Sequence, residues 1–381
     1  MADPMQLVEE EEVPEPTKAD LVWNAEYDEA IYANPDDWPA YLVYGDWLLA
    51  KGNPVGHAIA KQENGFVSGY PKVWFGGAVE KALDNDELAL EWKHGFVNSI
   101  SMLRPSDEAE FDMQRIRRLQ NRLDALLVSP LCRFVREIKL WWGSNSDLFA
   151  DALIKVIAEH APRALSRLEV AAIDQFERAE TQLSWISVGD VSALWAACPS
   201  LREVFIRGGG ALHLGTIVAP NLERFTIETT GMPVECIKSM TQASWPKLES
   251  LQVWLGDGRG FTGSIDDLQP IVGARGLPKL RTLGLMNTEL TDELVSVLAK
   301  SKVLPQLEVL DLSLGTMSKD GVKALVRHAS AFKHLKTLNL AENMISKADQ
   351  QVIEALGWGE VVVLENQRDS SSSLRYVAVG E

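Results

Sequence analysis

A six-residue pattern, Leu-x-x-Leu-x-Leu, recurs at a near-constant interval in the last third of the chain and constrains the fold more than any other feature. Leu280-Arg-Thr-Leu283-Gly-Leu285, Leu307-Glu-Val-Leu310-Asp-Leu312 and Leu335-Lys-Thr-Leu338-Asn-Leu340 are separated by 27 and then 28 residues. Self-similarity at such a period marks a stacked-repeat architecture, in which no single unit can bury its own apolar face. Looser copies run upstream at Leu248/Leu251/Val253, Leu222/Phe225/Ile227, Leu201/Val204/Ile206, Leu165/Leu168/Val170, Val135/Ile138/Leu140 and Val97/Ile100/Met102. Alternate residues of a short strand face opposite ways, so the Leu-x-Leu side chains point inward. A helix-period stretch follows each strand. Thr291-Asp292 stands before Leu294, Val297 and Leu298, Ser318 before Val322, Leu325 and Val326, and Ser346 before Val352, Ile353 and Leu356. Each leading polar residue reads as the cap of its own helix. Stacking such units yields a parallel sheet with helices outside, closed by the apolar run Val361-Val-Val-Leu364.

These residues resemble the leucine-rich repeat family in its ribonuclease-inhibitor-like form, which carries a helix in every unit. The resemblance implies an α/β solenoid, a curved parallel sheet with helices on the convex face, over residues 97–366. The family's LxxLxLxxN pattern is met in full at Asn343, while Thr288 and Gly315 occupy the equivalent place in the two preceding copies.

Upstream lie two helical stretches, Glu26–Tyr32 and Tyr41–Leu49, then a third at Gly56–Gln62, separated by Asn34-Pro35-Asp36-Asp37 and Gly52-Asn53-Pro54. With Tyr44-Gly45-Asp46-Trp47-Leu48 and Gln62 this region is similar to a short bacterial repeat-companion domain, a family without an established activity. The resemblance implies a helical cap over residues 19–64. Its aromatic load, Trp23, Trp38 and Trp47, reads as filling a small core that caps the first repeat, with a recognition surface as the alternative. Residues 65–96 read as a helical linker into the repeats, 1–18 as a disordered acidic tail, and 367–381, with the polar run Asp369–Ser373, as a mobile polar tail.

Charge restricts the partners. The chain carries 37 Lys and Arg against 54 Asp and Glu, a net −17, and residues 1–64 hold 14 of those acids against three Lys. Nucleic-acid affinity comes from neutralising phosphates with basic clusters, and none is present. We therefore expect neither nucleic acid nor membrane as partner, a cytoplasmic location, and solubility or basic partners as the use of the acidic segment. No basic n-region precedes an apolar core at the N-terminus, and no apolar window of about 18 residues could span a bilayer. Cys132, Cys198 and Cys236 are widely spaced and read as buried thiols rather than metal ligands.

Signatures of catalysis are also lacking. The six histidines form no HxH or HExxH, and no GxSxG elbow occurs. Asp36/Asp37 and Asp266/Asp267 sit where helix caps belong. Gly258-Arg-Gly260-Phe-Thr-Gly263 matches GxGxxG. In a dinucleotide-binding fold such glycines let the backbone approach a pyrophosphate. Here strand, turn and helix recur as the repeat itself, so we read it as an inter-repeat loop. No cofactor, metal or catalytic residue is assigned.

The positions flanking each inward Leu line the concave sheet face, where curved repeats usually bind. They include Trp141, Phe205, Arg207, Arg224, Glu228, Trp254, Met286 and Asp311, several of them of types enriched at binding hot spots. The expected function is that of a non-enzymatic protein-binding scaffold or adaptor. The repeat resemblance also implies an alternative, a regulator that inhibits or activates a partner enzyme such as a nuclease or small GTPase. If these side chains bind a partner, removing Arg207, Arg224 and Trp254 together should abolish binding without lowering the melting temperature.

Overall fold

A computed structural model describes residues 16–103, 113–140, 150–170, 183, 186–208, 211–257, 263–368 and 375–380. Its centre is one open sheet whose strands lie side by side in chain order: β1 (Leu88–Lys93), β2 (Phe96–Met102), β3 (Glu137–Leu140), β4 (Arg167–Val170), β5 (Glu203–Arg207), β6 (Arg224–Glu228), β7 (Ser250–Gly256), β8 (Thr282–Thr288), β9 (Val309–Asp311), β10 (Thr337–Asn339) and β11 (Val362–Val363). Every neighbouring pair from β2 onward is parallel. The fold is a leucine-rich-repeat-like α/β solenoid.

Register follows the sequence pattern without a slip. Ile100, Ile138, Leu168, Val204, Phe225, Leu251, Leu283, Leu310 and Leu338 form one row across the sheet, all of them buried. Removing each such side chain from water contributes about 1.5–3 kcal/mol, and a one-residue slip would turn the whole set to solvent. Helices then close the inner side. Thr291–Leu298 packs on Lys319–Arg327, which packs on Lys347–Glu354, with Leu294, Leu298, Val322, Leu325 and Ile353 inward.

The caps differ in one place from the sequence reading. Ser318 and Ser346 cap their own helices, accepting from the amides of Asp320 and Asp349. Asp292 does not cap its helix, whose N-cap is Leu290. Its carboxylate instead reaches the next repeat, where it accepts from the Ser318 amide (2.7 Å), the Ser318 hydroxyl (2.6 Å) and the Gly321 amide (3.0 Å). Side chains point toward the N-terminal end of a helix, so a first-turn acid can stitch one repeat to the next. Asn343 is wholly buried. Its amide donates to the carbonyls of Leu312, Leu340 and Ala341, and its oxygen accepts from the Met317 amide.

Residues 88–93, assigned above to a helical linker, form a strand. Helices occupy Gly65–Ser68, Pro71–Phe75 and Gly77–Asp84, after which β1 turns through the left-handed His94 and Gly95 and pairs antiparallel with β2. The hairpin covers the edge that β2 would otherwise leave unpaired.

The cap consists of α1 (Ala25–Ala33), α2 (Trp38–Ala50) and α3 (Pro54–Lys61). Asn53, fully buried, accepts from the Val55 amide at the start of α3 and donates to the Val22 carbonyl. Gly56 is required because a Cβ there would lie 2.4 Å from the Leu49 nitrogen, so α2 and α3 touch backbone to backbone. Trp23, Trp38 and Trp47 all pack against the core. A row of arginines from the array meets the acidic face of the cap. Arg133 pairs with Asp28 (2.6 Å), Arg163 grips Glu29 through two bonds (2.5 and 2.9 Å), and Arg136 pairs with Asp36 (2.6 Å). Three of the acids expected to serve solubility or basic partners are thus spent inside the molecule.

Candidate functional site

The sheet face turned away from the helices has two regions of different chemistry. Over β2 to β6 it is an ionic ladder, in which Ser99, Glu137, Arg167, Glu203 and Arg224 stand in register. Arg167 lies 3.1 Å from Glu137 and 2.5 Å from Glu169, Arg224 pairs with Glu203, and Ser99 donates to Glu137 at 3.1 Å. Opposite charges directly across neighbouring strands stabilise the sheet. They also leave little unsatisfied charge for a partner. Arg224 is therefore exposed but already paired, which lifts its pKa further above its ordinary value, through the Glu203 hydrogen bond first.

Arg207 and Glu228 are opposite one another on β5 and β6 and hydrogen-bonded to each other. Their side chains are only 4% and 10% exposed. The Arg207 guanidinium also lies 5.7 Å from the Trp254 ring centre, and among the described residues its Nε has no hydrogen-bond partner. The expectation that Arg207 and Glu228 are surface contacts is corrected: they form a buried pair beneath Trp254. Triple substitution of Arg207, Arg224 and Trp254 would leave the Glu228 carboxylate buried and unmatched, so it would lower stability together with any binding.

Over β7 and β8 the face becomes neutral, with Ser250, Gln252 and Trp254 beside Thr282, Gly284 and Met286. Phe205 is half-buried on β5. Trp254 and Met286 lie side by side in register on β7 and β8, both half-buried. Between Gln252 and Asp311 in the adjacent row stands Gly284, where a Cβ would meet the Met286 sulfur at 2.8 Å. A glycine inside a strand permits such close approach, and the thioether lies flat across it. Asp311 accepts from the Ser313 amide and the Asn339 side chain. Trp141 and the glycine run 258–262 lie outside the described residues.

Chemistry elsewhere is sparse. All three cysteines are buried and free. Burial pushes the Cys198 thiol up to about 12 and the Cys236 thiol up to about 11, and raises Cys132 as well, so none is a thiolate nucleophile at neutral pH. Asp267 accepts from the Ser264 amide and hydroxyl as a cap. Asp36 is bound to Arg136 and Lys93 rather than capping α2, and Asp37, at the N-cap, makes no side-chain bond to the helix. Among the described residues no group of three or more His, Cys, Asp or Glu could hold a metal ion, and no helix is long and apolar enough to cross a membrane.

No protein-family model matches this chain, and no curated protein matches it. Among solved structures, the chain is similar to a structural-genomics protein from Bacteroides fragilis at 24% identity and a TM-score of 0.58, over 68% of this chain and 72% of that one. An internalin of Listeria monocytogenes matches at 16% identity and a TM-score of 0.33, over 66% of each chain. The Bacteroides likeness bears on the fold alone.

Proposed function

We propose that this chain is a non-enzymatic protein-binding scaffold whose partner docks on the open sheet face at Trp254 and Met286, with Gly284 beside them and Phe205 farther along the same face on β5. One observation carries the reading: the described charges on β3 to β6 of that face are paired within the chain, whereas a tryptophan and a methionine lie together in register on its neutral part over β7 and β8. Aromatic and Met side chains are enriched at protein interfaces, and a flat half-buried pair presents apolar area at little entropic cost.

The test is affinity purification of partners with the native chain, followed by the same capture with Trp254→Ala/Met286→Ala. The double variant should lose the partner by at least about tenfold, since hot-spot truncation costs about 2 kcal/mol or more, while its circular dichroism stays native. Because the surrounding charges are internally paired, the native interaction should survive 0.5 M salt, about where exposed charges are screened within a few ångströms. Undiminished capture by the double variant would move the site elsewhere.

A further inference from the structure

A second surface is already occupied by the chain itself, which corrects the expectation of a mobile tail over 367–381: Gln367, Arg368, Arg375 and Val379 are bonded to the repeats. Residues in the left-handed region lie at or just past the C-terminal ends of the last strands: Asn287 (φ 50°) within β8, and Leu314 (φ 64°), Glu342 (φ 53°) and Asn366 (φ 51°) three residues beyond β9, β10 and β11. This turn is uncommon for a bulky residue such as Leu314. Arg375–Gly380 lies along these strand ends, in a groove formed by the residues that hold it. The Asn287 side chain clamps Val379 at both backbone atoms, donating to its carbonyl (2.8 Å) and accepting from its amide (2.9 Å). The Leu314 carbonyl accepts from the Ala378 amide at 2.8 Å. Arg368 donates to the Tyr376 carbonyl at 2.5 Å. All four of these bonds use the main chain of the seated segment, so they are indifferent to its sequence.

Side chains supply the selectivity. Arg375 pairs with Asp292 at 3.1 Å. Val377 is 2% exposed and Val379 packs against the core, whereas Tyr376 between them is 60% exposed. The segment adds no strand to the sheet, but its alternation works as in bound extended peptides, where main-chain bonds give affinity and pockets for alternate residues give specificity.

We propose that this groove is a docking site for an extended segment of a partner protein that carries a cation and, two and four residues later, aliphatic side chains. The chain's own Arg375–Gly380 fills it when no partner is bound. This site lies along the strand ends and is independent of the sheet-face reading above. A segment tethered nearby acts at an effective concentration of order 1 mM. If that segment holds its groove with an intrinsic Kd of about 10 μM, an incoming peptide binds the native chain about a hundredfold more weakly than an emptied groove.

The experiment uses the full chain with its own segment disabled by Arg375→Glu and Val377→Asp, and a fluorescein-labelled peptide of residues 375–380 as probe, read by fluorescence anisotropy. Saturable binding to this variant, at least about tenfold weaker binding to the native chain and none by a peptide carrying Val377→Asp are the expected results. No saturation on a variant with native circular dichroism and melting temperature would overturn the proposal. Equal affinity for both proteins would overturn it too, as would a concentration-dependent dimer of the native chain, which would assign the groove to exchange between copies. Hydrogen exchange of the unaltered protein gives a readout that does not depend on the variant folding. The Ala378 and Val379 amides should exchange at least about tenfold faster than that of Leu338, through local opening. Equal protection at these positions means the groove never opens, and the idea fails.

Discussion

Arg207 shows how little a residue type says about its use. An arginine next to a tryptophan on a repeat face looks like a binding hot spot, yet this one is 4% exposed and is matched to Glu228 one strand away. Only the pairing of β5 with β6 distinguishes the two roles, because the partners are 21 residues apart in sequence. Removing one member of a buried pair leaves an uncompensated charge, so Arg207→Leu should lower stability by about 3–5 kcal/mol, read from urea unfolding. Arg207→Leu combined with Glu228→Leu should regain most of that loss, since apolar replacement of both partners is often neutral. A single variant with an unchanged midpoint would remove the pair from the stabilising interactions.

At the scale of elements, the strands were the most legible part of the chain. Leu-x-Leu copies foretell strands, including the weak ones at Ile138/Leu140 and Ile100/Met102, because burial in a stacked array tolerates any apolar residue at the inward place. Two details escaped that logic. β1 has no such copy, since it runs antiparallel at the edge, where only one neighbour constrains it; its signal was the alternation Leu88, Leu90, Trp92 ahead of a His-Gly turn. Asp292 was assigned to its own helix, whereas it caps the helix of the following repeat. Asp292→Ala should therefore cost about 1–2 kcal/mol, the usual worth of an N-cap. Its effect should appear as faster amide exchange at the start of Lys319–Arg327 rather than in Thr291–Leu298. Faster exchange confined to the latter would restore the local assignment.

For the whole molecule, cap and array share one continuous core. Phe96 of β2 packs edge-on against Phe134 at 4.8 Å, and both meet Tyr41 of α2. His94 sits at this junction, with ring centres 4.4 Å from Trp38 and 4.6 Å from Tyr41, next to Lys93, which pairs with Asp36 and through it with Arg136. Burial first, and then Lys93, holds its pKa below the ordinary 6.5. The unfolded chain therefore takes up this proton before the folded chain does. The stabilisation is full above about pH 6.5 and is lost as pH falls through that value toward the folded pKa. The thermal midpoint should drop between pH 7 and pH 5, and His94→Asn, which tolerates the left-handed backbone (φ 53°), should flatten that slope whatever it does to absolute stability. Identical slopes in the two proteins would place the acid sensitivity elsewhere.

Taken by itself, the amino-acid sequence determined the class of fold, the inward row of each strand and the three cap helices. These depend on local periodicity, the burial of apolar side chains and turn chemistry, all of which are written along the chain. The tertiary structure alone decided which charges neutralise one another, that the acidic cap is docked by Arg133, Arg136 and Arg163, and that Arg375–Gly380 lies back across the ends of β8 and β9. Such contacts join residues from about twenty to more than a hundred positions apart. An ion pair or a clamp on a backbone amide leaves no periodic trace in sequence, so its partner becomes visible only once the strands are stacked.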